Sequence, residues 1–313
     1  MTAVDPRQGR PAEGLGSGSI KVGRFSSYLA LTKPRIIELL LVTTVPTMFL
    51  AAQGLPNLWI VIATLIGGSL AAGGANTFNC VVDADIDALM HRTQSRPMAM
   101  GTISARQASL FGAVLSVSSV VWLALVVNVV SASLAAFAIG FYVLGYTIVL
   151  KRRTPQNIVW GGAAGCMPVL IGWSAVTGSL SWAPIVLFLV IFFWTPPHYW
   201  PLSLRYREDY VAAGVPMLPA VADQVVVAKS ILIYSLVMVA TSLVLWPVAH
   251  TSLLYPIVAA ILGALFVLEA QRLFFAARKG ADEDVMRPMR LFQGSITYLT
   301  LLFVAIAIDS LLR

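Results

Sequence analysis

From residue 36 onward the chain alternates long apolar runs with short polar breaks. Nine runs of about 17 to 25 residues stand out, at 36–52, 58–82, 108–127, 133–150, 158–177, 182–200, 230–249, 253–272 and 291–311. A helix of about 20 residues crosses a hydrocarbon core about 30 Å thick. None of the runs alternates polar and apolar positions as the strands of a membrane barrel do. Backbone groups in lipid must be satisfied within the protein, so the pattern predicts an all-α polytopic membrane protein with nine transmembrane helices.

Composition agrees with this picture. Of 313 residues, 58% are hydrophobic and 11% charged, against about 25% charged in soluble domains. That excludes a soluble enzyme, a disordered chain and a secreted disulfide scaffold. Cys80 and Cys166 lie in apolar stretches without metal-ligand neighbours, so a disulfide or zinc site is not expected.

The net charge of +7 would suit nucleic acid if it were clustered on a soluble surface. Instead, all 21 lysines and arginines except Arg313 fall before span 1 or after spans 2, 4, 6 and 8. The positive-inside rule then puts the N-terminus in the cytoplasm and the C-terminus outside, in the inner (plasma) membrane of a cell. Residues 1–25 carry no apolar run and read as a flexible cytoplasmic tail, leaving 26–313 as one transmembrane domain. The outer loops are short and nearly uncharged. Inner loops 83–107 and 201–229 are long, so the working face should be cytoplasmic, with these loops capping the site.

The first chemical constellation closes span 2. Asn79, Asp83 and Asp87 recur every four residues, which aligns them along one helix stripe, and Asp85 must point elsewhere. Two like charges one turn apart call for a cation between them. Carboxylates with an amide oxygen suit Mg²⁺, which prefers oxygen ligands and often bridges carboxylates to phosphates. Arg92 and Arg96 follow at the same spacing and suit phosphate oxygens. Together they spell a Mg²⁺–diphosphate site, although a helix end entering water also carries Asp and Arg.

Other polar residues near the bilayer are fewer. Lys151, Arg152 and Arg153 close span 4 beside Asn157 and serve anchoring or diphosphate binding equally well. Lys33 and Arg35 are similar, with Glu38 one turn on as a partner for Arg35, and Glu269 with Arg272 reads as a structural pair. His91 extends the stripe, or sits in an exposed loop, and His250 lies on the outer face. After span 6, Glu208 and Asp209 stand between Tyr206 and Tyr210. His198 follows Pro196 and Pro197, which should break the end of span 6 and open a cavity. Trp194, Tyr199 and Trp200 suit an interface belt or the wall of a flat ligand's site. The loops after spans 2 and 6 lie on the same side, and both run on to a Pro-Met pair (Pro97-Met98, Pro216-Met217), which suggests two four-helix units facing a central cavity.

The spacing of Asn79, Asp83 and Asp87 resembles the first aspartate motif of the UbiA-type intramembrane prenyltransferases. With Met90, Arg92, Thr93, Arg96 and Pro97 it looks like the heme-farnesylating branch, as do Leu31 to Arg35, Tyr146 to Arg152, and Trp194 to Trp200 through Asp209 to Pro219. The resemblance implies transfer of a farnesyl group from farnesyl diphosphate to heme b, giving heme o for terminal oxidases, with Mg²⁺ as cofactor. It implies metal binding by Asn79, Asp83 and Asp87, and catalytic roles for Asp83, Asp87, Asp209 and Tyr210. Arg92, Arg96, Lys151 and Arg152 would bind diphosphate and His198 heme. Heme a synthase or oxidase assembly factors are implied partners. Relatives place two aspartates four apart after span 6, and this chain does not. Two rival readings stay open: prenylation of a quinone precursor, which the Trp194-to-His198 run opposes, and cation-coupled transport through Asp83 and Asp87, which has no need of the adjacent arginines.

Overall fold

Each apolar run becomes a helix, and several helices extend beyond the run that predicts them. The computed structural model describes residues 24–313, without the side chains of residues 35, 36, 38–41 and 283. The expected tail therefore falls outside the described residues up to residue 23, and Arg24 and Phe25 begin a short helix, Arg24–Leu31. The expected Arg35–Glu38 partnership also lies outside them. The long helices are α1 (Pro34–Ala52), α2 (Leu58–Val82), α3 (Ala105–Val127), α4 (Val129–Leu150), α5 (Asn157–Thr177), α6 (Trp182–Arg205), α7 (Gln224–Ala249), α8 (Leu254–Arg278) and α9 (Pro288–Leu312). No strand occurs among the described residues. Eight of these helices, α2 to α9, are long and apolar enough to cross a membrane.

Helix ends carry their signals in the sequence. Asn57 accepts the Trp59 N–H ahead of α2, Ser104 and Gln107 form a capping box on α3, and Asp223 accepts the Val225 N–H on α7. Each satisfies backbone donors that have no partner within the helix. The Asp223 cap lets α7 begin six residues before its apolar run, which shortens the preceding loop.

The helices form a ring in chain order, each packed on the next, and α9 closes it against α1. Helix α1 also packs on α5 across the ring, and α6 on α9. Small residues let α2 approach α3: a Cβ at Gly74 would lie 2.3 Å from Ser116 Oγ and 3.0 Å from the Gly112 carbonyl oxygen. An apolar cavity of about 140 Å³ lies between α1, α2, α4 and α5. Its lining thus draws on both the first four helices and α5, the first helix of the second four.

Two local departures matter for the site. The expected break at Pro196–Pro197 does not occur, and α6 runs on through Pro196, Pro197 and Pro201 to Arg205. Side chains on both sides of the pair are pinned to α9: Trp194 Nε1 donates to the Ser295 carbonyl at 2.8 Å, and His198 Nδ1 meets Ser295 Oγ at 2.7 Å. Neighbouring helices can support a proline-containing span in this way. The second half of α4, Phe141–Leu150, is wound as a π-helix, a widening often found at functional sites.

Candidate active site

Along the last turns of α2, spacings of three and four residues stack Asn76, Asn79 and Asp83 on one side. The short helix Ala84–Leu89 carries the line on to Asp87. All four are buried, Asp83 completely. Charges so placed are costly unless paired, and each has a cation. Lys151 Nζ bonds Asp83 Oδ2, and Arg96 Nη1 reaches both Asp87 oxygens at 2.7 and 2.8 Å. Asn79 Nδ2 donates to Asp83 Oδ2 at 2.7 Å and to Thr147 Oγ1 at 3.2 Å, while its Oδ1 accepts from Lys33 Nζ. Thr93 Oγ1 donates to the Asp87 carbonyl and fixes the turn that aims Arg96.

The π-helical half of α4 supplies the facing wall. Thr147 Oγ1 donates to the Tyr142 carbonyl at 2.9 Å, and Tyr142 Oη to Asn76 Oδ1 at 3.4 Å. Asn157, fully buried, donates to the Lys151 carbonyl at 3.2 Å and steadies the turn that carries Lys151. Asn76 and Tyr142 also line the apolar cavity, together with the small residues Gly68, Ala71, Ala72 and Ala75 from α2. Polar head and apolar tail are thus contiguous.

The second constellation lies over the first. Asp209 accepts from His91 at 2.9 Å and from the Arg92 backbone N–H at 3.2 Å, joining the loop after α2 to the loop after α6. Burial would raise the Asp209 carboxyl, but the His91 ring and the Arg92 and His91 N–H groups hold it below the ordinary carboxylate value. Arg92 Nη2 donates to Tyr210 Oη at 3.4 Å, and its guanidinium lies 5.8 Å from the Tyr206 ring centroid. Glu208 lines an outward pocket with His91, Arg205 and Arg207.

Not every residue picked from the sequence converges. Asn79, Asp83, Asp87, Arg96 and Lys151 share one cluster, with Lys33 beside it. Arg152 does not join them: it forks onto Asp85 at 2.6 and 2.8 Å and onto the Val82 carbonyl at 2.9 Å, on the exposed side. That hydrogen bond lowers the Asp85 carboxyl and raises the Arg152 guanidinium. His91 leaves the stripe for Asp209, its ring mostly exposed. His198 is sandwiched between Trp194 and Phe292 at ring-centroid distances of 4.1 and 4.7 Å, so both of its faces are covered. Glu269 pairs with Arg272, as the sequence predicts, and also with Arg290 at 2.9 Å. Three site residues escape sequence reasoning. Asn76, Tyr142 and Thr147 are polar residues in apolar runs, where a partner is always needed, and that was their signal. Tyr199, assigned to a belt or a wall, stands within electrostatic reach of Arg92, Lys151 and Lys33.

The donor set bears on a metal. No three His, Cys, Asp or Glu side chains gather among the described residues, so a metal would be held by two carboxylates plus groups brought by substrate, as Mg²⁺ commonly is. Asp83 Oδ1 is buried without a hydrogen-bond partner. A buried carboxylate oxygen left open in this way fits a hard cation.

Paired carboxylates under matched cations, linked through Asn79 and Thr147 to the lining of an apolar cavity, suit a substrate with an anionic head and a hydrocarbon tail. The chain belongs to the UbiA prenyltransferase family, whose model matches residues 40–296. It is similar to a protoheme IX farnesyltransferase of Nocardioides sp., with 58% identity over 287 residues that cover 92% of this chain and 91% of the relative. Its fold is that of a solved digeranylgeranylglyceryl phosphate synthase (TM-score 0.74, 16% identity, 92% of this chain and 99% of the other). It also matches a UbiA homologue from Archaeoglobus fulgidus bound to GPP and Mg²⁺ (TM-score 0.62, 17% identity, 92% and 100%).

Proposed function

We propose that the protein transfers the farnesyl group of farnesyl diphosphate to heme b, forming heme o, with Mg²⁺ as cofactor. The observation that carries this reading is the buried Asp83–Asp87 pair, linked through Asn79 and Thr147 to Tyr142 in the lining of the apolar cavity, in a chain 58% identical to a protoheme IX farnesyltransferase. The reading includes nine spans in the inner membrane, with α1 as the first. The N-terminus is cytoplasmic, the C-terminus outside, and 26–313 forms one domain.

Asp83 and Asp87 would hold Mg²⁺, and Mg²⁺ supplies charge neutralisation on the diphosphate. Lys151, Arg96 and Lys33 are each bonded within the acidic cluster, so they are placed to turn to the diphosphate as it settles. Arg92, held by Tyr210 and the Tyr206 ring, closes the cytoplasmic side. The Gly68–Ala75 wall takes the hydrocarbon chain and keeps water from the reacting carbon. The allylic C–O bond breaks with its electron pair leaving on the diphosphate, and the basic groups stabilise that developing charge. The allylic carbon then bonds to the terminal vinyl carbon of heme, which leaves the positive charge on the inner vinyl carbon; water adds there and loses a proton to give the hydroxyl of the product. His198 can reach a macrocycle through one ring edge only.

The test is incubation of the purified protein with Mg²⁺, farnesyl diphosphate and heme b, followed by mass spectrometry. Farnesylated heme is expected. Its absence, with prenylation of a quinone precursor instead, would replace this reading by the aromatic one.

A further inference from the structure

The hydrogen-bonding capacities around Asn79 determine which way its amide points. Lys33 Nζ can only donate, and the Asp83 carboxylate can only accept. Thr147 could do either, but its hydroxyl proton is committed to the Tyr142 carbonyl at 2.9 Å, which leaves it an acceptor toward Asn79. All three neighbours therefore agree: Oδ1 faces Lys33, and Nδ2 faces Asp83 Oδ2 and Thr147 Oγ1. The reversed amide would set its oxygen against a carboxylate oxygen and a hydroxyl lone pair. The Thr147 side chain is completely buried, so no water can take its place without a cavity.

We infer that Thr147 is a positioning residue for the metal site, acting through Asn79. It holds the Asn79 amide as a donor to Asp83 Oδ2, which leaves the unpartnered Asp83 Oδ1 to face a cation. Asn79 then supports the ligand Asp83 and is not itself a ligand through its oxygen. The π-helical winding of Phe141–Leu150 contributes by presenting both the Tyr142 carbonyl and the Thr147 hydroxyl to the same spot. This rests on the Mg²⁺ reading proposed above.

The experiment measures Mn²⁺, as a stand-in for Mg²⁺, retained by the full chain in detergent during equilibrium dialysis against a fixed concentration of inorganic pyrophosphate. Thr147→Val keeps the shape and removes the hydroxyl, and Thr147→Ser restores it. Loss of a group that orients a metal ligand typically costs about 10- to 100-fold in affinity. Thr147→Val should weaken Mn²⁺ retention at least tenfold, and Thr147→Ser should stay near wild type. Asn79→Asp should also weaken retention, because a carboxylate beside Asp83 cannot donate to it. Equal retention by wild type and Thr147→Val, or tighter retention by Asn79→Asp, would overturn the inference while leaving the metal site standing. No retention by wild type would overturn the metal site and the inference with it. If Thr147→Val fails to fold, the Asn79→Asp result decides.

Discussion

The Lys151–Asp83 pair permits a direct test of how the acidic cluster is held together. Asp83 is completely buried, and its Oδ2 is shared by the Lys151 ammonium and the Asn79 amide. Lys151→Met removes the ammonium but keeps the apolar stem, so Asp83 is left with one amide donor. At a hydrogen-bonding separation of about 3 Å and an effective dielectric of about 20, the lost attraction is about 5–6 kcal/mol. Removing one member of a buried pair costs about 3–5 kcal/mol in practice. For a chain of this size each kcal/mol lowers Tm by about 2–4 °C, so Lys151→Met should melt about 6–20 °C below wild type. The assay is thermal unfolding in detergent, followed by tryptophan fluorescence. Adding Asp83→Asn removes the stranded charge, and the double variant should recover at least half of the loss. If the double variant melts no higher than Lys151→Met alone, the two side chains are not coupled and the electrostatic account of the cluster is wrong.

Three further outcomes follow from the same geometry. Asp83→Ala and Asp87→Ala should abolish farnesylated heme in the mass-spectrometric assay, and either variant retaining near wild-type turnover would refute the metal assignment. Arg152→Ala should lower Tm by no more than the effect of about 1 kcal/mol, because its Asp85 partner is solvent-exposed, and turnover should change less than about threefold; a loss like that of Asp83→Ala would place Arg152 in the site after all. Gly161→Ala would set a Cβ 2.0 Å from the Tyr146 ring. Overpacking of this kind costs about 1–3 kcal/mol, so a measurable drop in Tm is expected, and an unchanged melting curve would contradict the packing of α5 on α4.

What the sequence made legible follows from what hydrophobic patterning encodes. Apolar runs mark lipid-spanning segments directly, and the helices rise from them with ends shifted by caps such as Asp223. The Asn79–Asp83–Asp87 stripe is legible because helical periodicity alone aligns it. Proline misleads at Pro196–Pro197, since the local rule counts the missing N–H and cannot see Ser295 pinning both flanks from α9. Arg152 misleads for a related reason: adjacent to Lys151 in sequence, it points about 100° away around the turn and finds Asp85. The Asp209 clasp on His91 and Arg92 joins residues more than a hundred positions apart, a separation that no periodic pattern encodes. The role of Thr147 depends on a π-helical stretch with no compositional mark.

The pairing of Asp83 with a lysine and of Asp87 with an arginine also bears on how the protein is made. A site assembled around a metal would leave two aspartates repelling one another in the bilayer until that metal arrived. Here Lys151 and Arg96 already balance them. Membrane insertion and folding can therefore finish before any divalent ion or substrate is present. Loading then becomes an exchange of partners within a finished scaffold, in which the cations that guarded the carboxylates are free to meet the incoming anion.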